Sequence, residues 1–259
     1  MEALLQSLPP GATWALLAVG SALAAIVNTM AGGGSLLVLP LLLAVGLPPG
    51  LANGTLRAGV LVQSLSAVAT FHRKGERPYR LVAKLAAPII VGAGAGTFLA
   101  TRLDDALLLP IIGALLAGWA VVLLLRPARF LQAQGEPRDP SVTTYLAAVG
   151  VGFYGGFLQV AVGFPLLALL TMGVGLAAVQ ANAVKVTLVL VYTLVSLPIF
   201  AAAGQVAWAE GLALAGGGLV GGWLGARWQL RSGAGVVRWF VVVTATVSGL
   251  AMLWRSFAT

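Results

Sequence analysis

The chain has 259 residues, of which 59% are hydrophobic and only 8% are charged, and its mean hydropathy is +1.00. A soluble globular domain carries about 25% charged residues, so this composition excludes a soluble enzyme, a nucleic-acid-binding protein and a disordered tail. Fifteen Lys and Arg outnumber seven Asp and Glu. The charges lie mainly between long apolar runs, so we interpret the basic excess as a signal for the orientation of the chain in a membrane. The predicted fold class is an all-α, polytopic helical membrane protein.

The apolar runs, taken in chain order, predict two groups of helical segments. A membrane-spanning helix needs about 20 apolar residues, and several runs are shorter because glycine or proline interrupts them. The first group covers residues 14–30, 36–45, 51–71, 81–100 and 106–125, and the second covers 143–158, 162–172, 179–203, 208–228 and 236–254. The polar stretch between the groups predicts an N-terminal transmembrane repeat over 1–130, a polar linker over 131–141 and a C-terminal transmembrane repeat over 142–259.

The two groups overlay without a gap when the sequence is shifted by 129 positions. This shift places Asn53 on Asn182 and Gly75 on Gly204. Lys and Arg accumulate on the cytoplasmic side of a membrane, and the basic turn that follows the third segment has a counterpart without Lys or Arg. Corresponding loops therefore face opposite sides. The sequence predicts two inverted-topology repeats of about five segments each, with 8–10 spans including short or broken helices; each short segment either crosses fully or belongs to a re-entrant pair.

Two basic residues, Arg57 and Lys185, lie inside apolar segments, whereas every Asp and Glu lies in a loop or at a segment end. An ionisable side chain in the middle of a membrane helix costs roughly 2.5–3.5 kcal/mol. Each cation follows an asparagine (Asn53, Asn182) by four or three positions, which places both on one helical face. Two cations without an intramembrane acid predict an anion site. The alternative is that they snorkel to an interface as topology anchors.

Glycines interrupt an apolar run in each half, over residues 32–34 and around residues 155–163. Such breaks expose helix N-termini, whose N–H groups and partial positive charge attract anions. Two polar side chains, Gln63 and Tyr192, lie further along the helices that carry the cations and are expected to line a cavity. The predicted substrate-binding residues are Gly32, Gly33, Gly34, Ser35, Asn53, Thr55, Arg57, Gln63, Gly163, Asn182, Lys185 and Tyr192.

Three stretches of sequence carry a family resemblance. Residues 32–43 read GGGSLLVLPLLL, residues 46–55 read GLPPGLANGT, and residues 180–186 read QANAVKV. The first two stretches resemble the first half of the sulfite exporter TauE/SafE family, and the third resembles that family's repeat of the motif. The resemblance implies a permease, usually drawn as an exporter, for small sulfur-containing or organic anions such as sulfite or sulfonates. The second half lacks the full GGGS run, so the two half-sites are not expected to be equivalent.

The sequence therefore predicts a multi-pass transporter of the cytoplasmic (inner) cell membrane that works by alternating access around a midplane anion site. Its expected partners are a small anion substrate and the lipid bilayer, with no nucleic acid and no specified oligomeric state. No Walker motif is present and no cysteine is present to form thiolate metal sites, so neither ATP use nor a cofactor is expected. The alternatives are a passive anion channel, an accessory membrane subunit, and an intramembrane enzyme, for which no nucleophile or acid is evident at depth.

Overall fold

The fold is a bundle of helices in a computed structural model that describes residues 9–125 and 137–231. Most of the predicted linker and the predicted segment 236–254 lie outside these described residues. Within them every regular element is a helix. Three helices are long and apolar enough to cross a membrane, Pro10–Ala31, Tyr79–Ala100 and Ala178–Ala202. The predicted fold class, a polytopic helical membrane protein, is confirmed.

The helix bounds follow the predicted segments closely. In the first half they are α1 (Pro10–Ala31), α2 (Ser35–Ala44), α3 (Pro49–Arg73), α4 (Tyr79–Ala100) and α5 (Asp105–Leu125). In the second half they are α6 (Val142–Phe157), α7 (Gly163–Ala168), which a π-helical turn (Leu169–Gly173) continues, α8 (Ala178–Ala202) and α9 (residues 208–231). Helices α1 and α3 begin at proline, which suits a first helical position because its missing N–H would have no partner there.

Left-handed backbone positions recur with the 129-residue shift. Among the described residues a positive φ occurs at Gly32, Gly46 and Gly75, and 129 positions later at Ala161, Gly175 and Gly204. Glycine adopts this backbone without steric cost, and Ala161 is the exception. Helices α3 and α8 each contain 25 residues and also begin 129 positions apart. The turns and helices of the two groups therefore share one plan.

Two antiparallel helical hairpins are the main local feature of the fold. In the first, α2 folds back beside α1, so that a Cβ added to Gly20 would lie 2.6 Å from the Leu41 side chain. In the second, α7 and the π-helical turn fold back beside α6, so that a Cβ on Gly173 would lie 3.5 Å from the Thr144 hydroxyl. The hairpin tips are residues 32–34 and 158–162. These tips coincide with the predicted glycine breaks, except that α6 continues through its glycine pair to Phe157.

Helices α3 and α8 run in opposite directions. The start of α3 lies beside the end of α8, where a Cβ on Gly54 would lie 3.1 Å from the Phe200 ring. The end of α3 lies beside the start of α8, where Phe71 and Ala183 belong to one buried cluster. Two helices that the 129-residue shift relates to each other therefore point opposite ways.

Four glycines at helical spacing allow two pairs of helices to pack closely, as their spacing predicts. On α4, an added Cβ would lie 2.7 Å from the Phe153 backbone nitrogen at Gly92 and 2.8 Å from the Phe157 nitrogen at Gly96. On α9, the corresponding distances are 2.6 Å to the Ala25 Cβ at Gly221 and 3.0 Å to the Ile26 oxygen at Gly225. Side chains larger than hydrogen would separate α4 from α6 and α9 from α1.

The described Lys and Arg side chains outside the bundle interior concentrate at one end, where α3 ends and α4 and α6 begin. Those at this basic end are Arg73, Lys74, Arg77, Arg80, Lys84, Arg138, Arg227 and Arg231. Lys84 donates to Asp139 at 2.6 Å, and this hydrogen bond, together with the charge of Lys84, lowers the pKa of the Asp139 carboxyl. The opposite end carries Arg102 with Asp104, Asp105 and Glu210.

Candidate functional site

The two hairpin tips touch each other inside the bundle. A Cβ added to Gly32 would lie 2.6 Å from the Gly163 carbonyl carbon, and one added to Gly33 would lie 2.8 Å from the Phe164 ring. The Ser35 hydroxyl accepts a hydrogen bond from the Ala161 amide at 2.8 Å. We call this contact between residues 32–35 and 158–164 the hairpin junction.

Asn53 and Arg57, both on α3, cap the C-terminal end of α6. Arg57 is fully buried, and its guanidinium donates to the Gly155 carbonyl at 3.0 Å and to the Gly156 carbonyl at 2.6 Å. The Asn53 amide donates to the Phe157 carbonyl at 2.8 Å. The last carbonyls of a helix have no intrahelical donors, and a cation there also interacts favourably with the helix dipole. This end of α6 is therefore satisfied by side chains from the first half.

Asn182 and Lys185, both on α8, cap the C-terminal end of α1 in the same way. Lys185 is 2% exposed, and its ammonium group donates to the Asn28 carbonyl at 2.8 Å and to the Thr29 carbonyl at 3.0 Å. The Asn182 amide donates to the Met30 carbonyl at 3.0 Å. Each predicted asparagine–cation pair thus holds the hairpin of the other half. Both cations point into the protein, so the alternative in which they snorkel to an interface is wrong.

The positive charge of Arg57 meets dipoles and an aromatic ring rather than a carboxylate. Besides the two carbonyls, the guanidinium donates to the Gln159 side-chain oxygen at 3.2 Å and lies 4.5 Å from the centre of the Phe200 ring, a cation–π distance. Among the described residues, Arg57 and Lys185 are the charged side chains that are buried, and no Asp or Glu is buried with them. No group of acids and His in the described ranges could hold a metal ion.

A small polar cavity lies between α1, α2 and α3, next to the hairpin junction. Its volume is about 10 Å³, close to the space that one water molecule needs. Its polar lining side chains are those of Ser21, Asn28, Ser35 and Gln63. The rest of the lining is Gly34, Gly59 and the apolar residues Ala24, Ala25, Val38, Leu56, Val60 and Leu214. The sequence predicted Gly34, Ser35 and Gln63 as site residues and missed Ser21 and Asn28, although a polar residue within an apolar run was a usable signal. We refer to this space as the polar cavity.

Of the two remaining predicted site residues, Tyr192 lies near the junction and Thr55 does not, and neither lines the polar cavity. The Tyr192 hydroxyl is buried, has no hydrogen-bond partner among the described residues and would lie 3.3 Å from a Cβ on Gly155. The Thr55 hydroxyl accepts from the Ala207 amide at 2.9 Å. Thr55 therefore joins α3 to the start of α9, away from the hairpin tips.

Comparison with known proteins places this chain among membrane transporters. Residues 16–252 match the family described as "Sulfite exporter TauE/SafE". Relatives include a "Probable membrane transporter protein" of Haemophilus influenzae, 26% identical over 89% of this chain and 91% of its own length, and "Probable membrane transporter protein ORF9" of a Sinorhizobium species, 27% identical over 92% of both. "Probable membrane transporter protein YfcA" of Escherichia coli K12 is 30% identical over 90% of this chain and 87% of its own length. No solved structure matches.

Proposed function

This chain belongs to the sulfite exporter TauE/SafE family, and from that premise we propose that it carries small sulfur-containing or organic anions, such as sulfite or sulfonates, out of the cell. The family and the names of the relatives support a membrane transporter rather than an enzyme. The observation that carries the choice of an anion is the burial of Arg57 and Lys185 with no buried Asp or Glu in the described residues. A negatively charged substrate complements that uncompensated charge.

We further propose that the two halves, residues 1–130 and 142–259 with the linker 131–141 between them, are inverted repeats in the cytoplasmic membrane. The opposite directions of α3 and α8 and the recurrence of positive-φ turns support this arrangement. The basic end of the bundle then faces the cytoplasm. The two hairpins enter from opposite sides as re-entrant pairs, so that α2 and α7 do not cross the membrane.

The hairpin junction is the proposed midplane site for alternating access. Discontinuous helices at membrane depth are tolerated where they are buried in protein or line a polar space, and both tips meet that condition. Withdrawing one hairpin from its capping cation opens a path to one side, while the other hairpin stays capped. The proposed substrate-binding residues are the predicted ones apart from Thr55, which lies away from the tips: Gly32, Gly33, Gly34, Ser35, Asn53, Arg57, Gln63, Gly163, Asn182, Lys185 and Tyr192. Asn53, Arg57, Asn182 and Lys185 supply the donors and the charge nearest the tips.

A substrate panel on purified, reconstituted protein tests the proposed function. We expect liposomes that contain the protein to take up sulfite, thiosulfate or sulfoacetate faster than empty liposomes, and to leave small cations such as choline outside. The measurement is radiotracer or ion-chromatographic uptake against time. Anion uptake equal to that of empty liposomes for every member of the panel would overturn the proposal.

The proposed topology predicts which turns react from which side of the membrane. The chain has no native cysteine, so single cysteines introduced at Lys74 and at Gly204 can be labelled without background. With a membrane-impermeant maleimide on intact cells, we expect labelling at position 204 and none at position 74 until the cells are opened. Equal labelling of both positions in intact cells contradicts the inverted arrangement.

A further inference from the structure

We propose that the hydroxyls of Ser64 on α3 and Thr193 on α8 are a further contact for the transported anion, between Arg57 and Lys185. We call these two side chains the hydroxyl pair. Their ligand is an oxyanion or sulfonate group that accepts a hydrogen bond from each. The inference rests on the proposed transport of small anions and specifies where the oxygens of the anion bind in the middle of the bundle. Neither residue belongs to the site predicted from sequence.

Both hydroxyls are buried without a hydrogen-bond partner. Ser64 is 1% exposed and Thr193 is fully buried. Neither hydroxyl oxygen has a partner in the part of the chain that the structure describes. The large majority of buried side-chain polar atoms in proteins do have one, and leaving such a group unpaired lowers stability. A ligand that accepts hydrogen bonds would supply what the hydroxyl pair lacks.

Other threonines on the same two helices make the bond that the hydroxyl pair does not make. On α8, Thr187 donates to the Ala183 carbonyl at 2.7 Å. On α3, Thr70 donates to the Ser66 carbonyl at 2.8 Å. A bond to the carbonyl four positions earlier is a common way to satisfy a hydroxyl inside a helix. The hydroxyl pair therefore differs from its neighbours and keeps its donors available to a ligand.

The two hydroxyls occupy equivalent positions in the two halves of the chain. Thr193 lies 129 positions after Ser64, the same shift that relates Asn53 to Asn182. Ser64 follows Asn53 by eleven positions and Arg57 by seven, which are close to three turns and two turns of helix. Ser64 thus shares a face of α3 with the capping residues, and Thr193 shares the equivalent face of α8 with Asn182.

These faces of α3 and α8 lie towards each other. The Arg57 guanidinium on α3 lies 4.5 Å from the centre of the Phe200 ring on α8, and Phe200 follows Thr193 by seven positions on the same face. Phe71 follows Ser64 by seven positions on α3 and belongs to a buried cluster that includes side chains of α8. The hydroxyl pair therefore lies on the surfaces along which the two helices meet.

The hydroxyl pair lies near the middle of both helices, with one buried cation on each side. Helices α3 and α8 have 25 residues each, and Ser64 and Thr193 are each three positions beyond the middle one. At 1.5 Å per residue, Ser64 is about 10 Å along α3 from Arg57, and Thr193 is about 12 Å along α8 from Lys185. The contacts at the two ends of this antiparallel pair separate the cations by roughly 18 Å along the axes, so both hydroxyls fall between them.

Neutral hydroxyl donors at this depth suit an anion that must bind and then leave. The substrate sites of transporters with inverted repeats lie near the bilayer midplane, which is where the middle of a spanning helix lies. No Asp or Glu is buried in the described ranges, so no negative charge there opposes an anion. Because the hydroxyl pair is buried in the closed bundle, the contact forms when a hairpin withdraws in the proposed cycle.

Removing each hydroxyl without changing the rest of the protein tests the inference. Thr193→Val keeps the shape of the side chain, and Ser64→Ala removes a single oxygen atom. We expect each variant, purified and reconstituted, to take up thiosulfate at least about tenfold more slowly than wild type at concentrations well below saturation, as for a lost hydrogen bond to a charged group. Because neither hydroxyl has a protein partner, both variants are expected to melt at or above the wild-type temperature.

Two control variants separate the unpaired hydroxyl from side-chain volume and from hydroxyls in general. Thr193→Ser keeps the hydroxyl and loses only a methyl group, so uptake is expected to stay within about threefold of wild type. Thr187→Val makes the matched change six positions earlier on α8, where the hydroxyl is bonded to the Ala183 carbonyl. For that variant uptake is expected within about twofold of wild type.

The outcomes distinguish this inference from the proposed function on which it rests. Wild-type uptake in either Thr193→Val or Ser64→Ala overturns the hydroxyl contact and leaves anion transport intact. Lost uptake together with a lower melting temperature, or an equal loss in Thr193→Ser, shows a structural role and also overturns it. If Thr193→Val does not fold, Thr193→Ala replaces it under the same criteria. Failure of the wild-type protein to take up any sulfur anion overturns the inference and the proposed function together.

Discussion

Replacing Arg57 by alanine is expected to lower stability by about 1–3 kcal/mol for a buried carbonyl left without a donor, and to abolish anion uptake. The substitution removes the Arg57 donors to the Gly155 and Gly156 carbonyls. The Gly156 carbonyl keeps the Thr97 hydroxyl as a donor, whereas the Gly155 carbonyl loses its side-chain donor. The substitution also separates α3 from the second hairpin at the point where the proposed anion path opens. Lys185→Ala is expected to have the same effect at the end of α1, where the Thr29 carbonyl loses its side-chain donor and the Asn28 carbonyl keeps only the Gly32 amide.

Melting in detergent and uptake in liposomes measure the two parts of this prediction. Arg57→Lys keeps the charge but cannot reproduce the planar fork that reaches two carbonyls, so it should fall between alanine and wild type. The control is Arg102→Ala, which removes an arginine packed over the Phe98 ring at the end of α4 and should change melting and uptake little. Arg57→Ala protein with wild-type melting and wild-type uptake contradicts the capping role and the anion site together.

Gly163→Ala is expected to disrupt the hairpin junction and to reduce transport severely. The added Cβ would collide with the backbone of Gly32, and neither backbone can retreat as a flexible side chain would. Gly163 does not have a positive φ, so the expected effect comes from the contact alone. Overpacking of this kind typically costs about 1–3 kcal/mol and sometimes more, and here it separates the two tips that meet at the proposed site.

A second glycine provides the matched control for this substitution. Gly150, on α6 of the same hairpin, has no atom within 4 Å of an added Cβ, and alanine in a helix interior is more favourable than glycine by up to about 1 kcal/mol. We expect Gly150→Ala to melt at or above the wild-type temperature and to transport normally. Equal transport by the two alanine variants would show that the tips do not need their close contact.

The helices could be predicted from sequence because each is one continuous apolar run bounded by proline, glycine or charge. The prediction of 179–203 differs from α8 (Ala178–Ala202) by one residue at each end. The internal shift of 129 positions also located the turns. Turn positions with positive φ require glycine with few exceptions, so they can be recognised as glycines that recur at this shift.

The capping of each hairpin by the opposite half could not be predicted from sequence. Asn53 and Arg57 follow the first glycine break and yet bind carbonyls at the end of α6, about 100 positions away. Every residue has a backbone carbonyl, so the type of a residue does not show whether its carbonyl accepts from a capping cation. Residue types did signal a difference between the two hairpin tips, since the second half lacks the GGGS run and holds Phe164 at the position that corresponds to Ser35.

Each half of the chain caps the hairpin of the other half, so the two halves are connected at both hairpins. Each long helix, α3 or α8, carries a cation that satisfies the helix end of the other half's hairpin. Buried carbonyls cannot stay unpaired in a membrane interior without a cost of several kcal/mol each. In the proposed transport cycle, opening a hairpin therefore requires new partners for the released carbonyls, and an arriving anion pairs with the released cation.

Counterflow of a sulfur anion in proteoliposomes tests the central claim most directly. Liposomes loaded with a high concentration of unlabelled thiosulfate are diluted into buffer with trace [³⁵S]thiosulfate, and internal label is followed with time. A carrier that alternates around one anion site predicts transient accumulation of label above its equilibrium level, with an initial rate that saturates as external thiosulfate rises. A rate that rises linearly without accumulation, as in a passive anion channel, or no flux above that of empty liposomes would contradict the account.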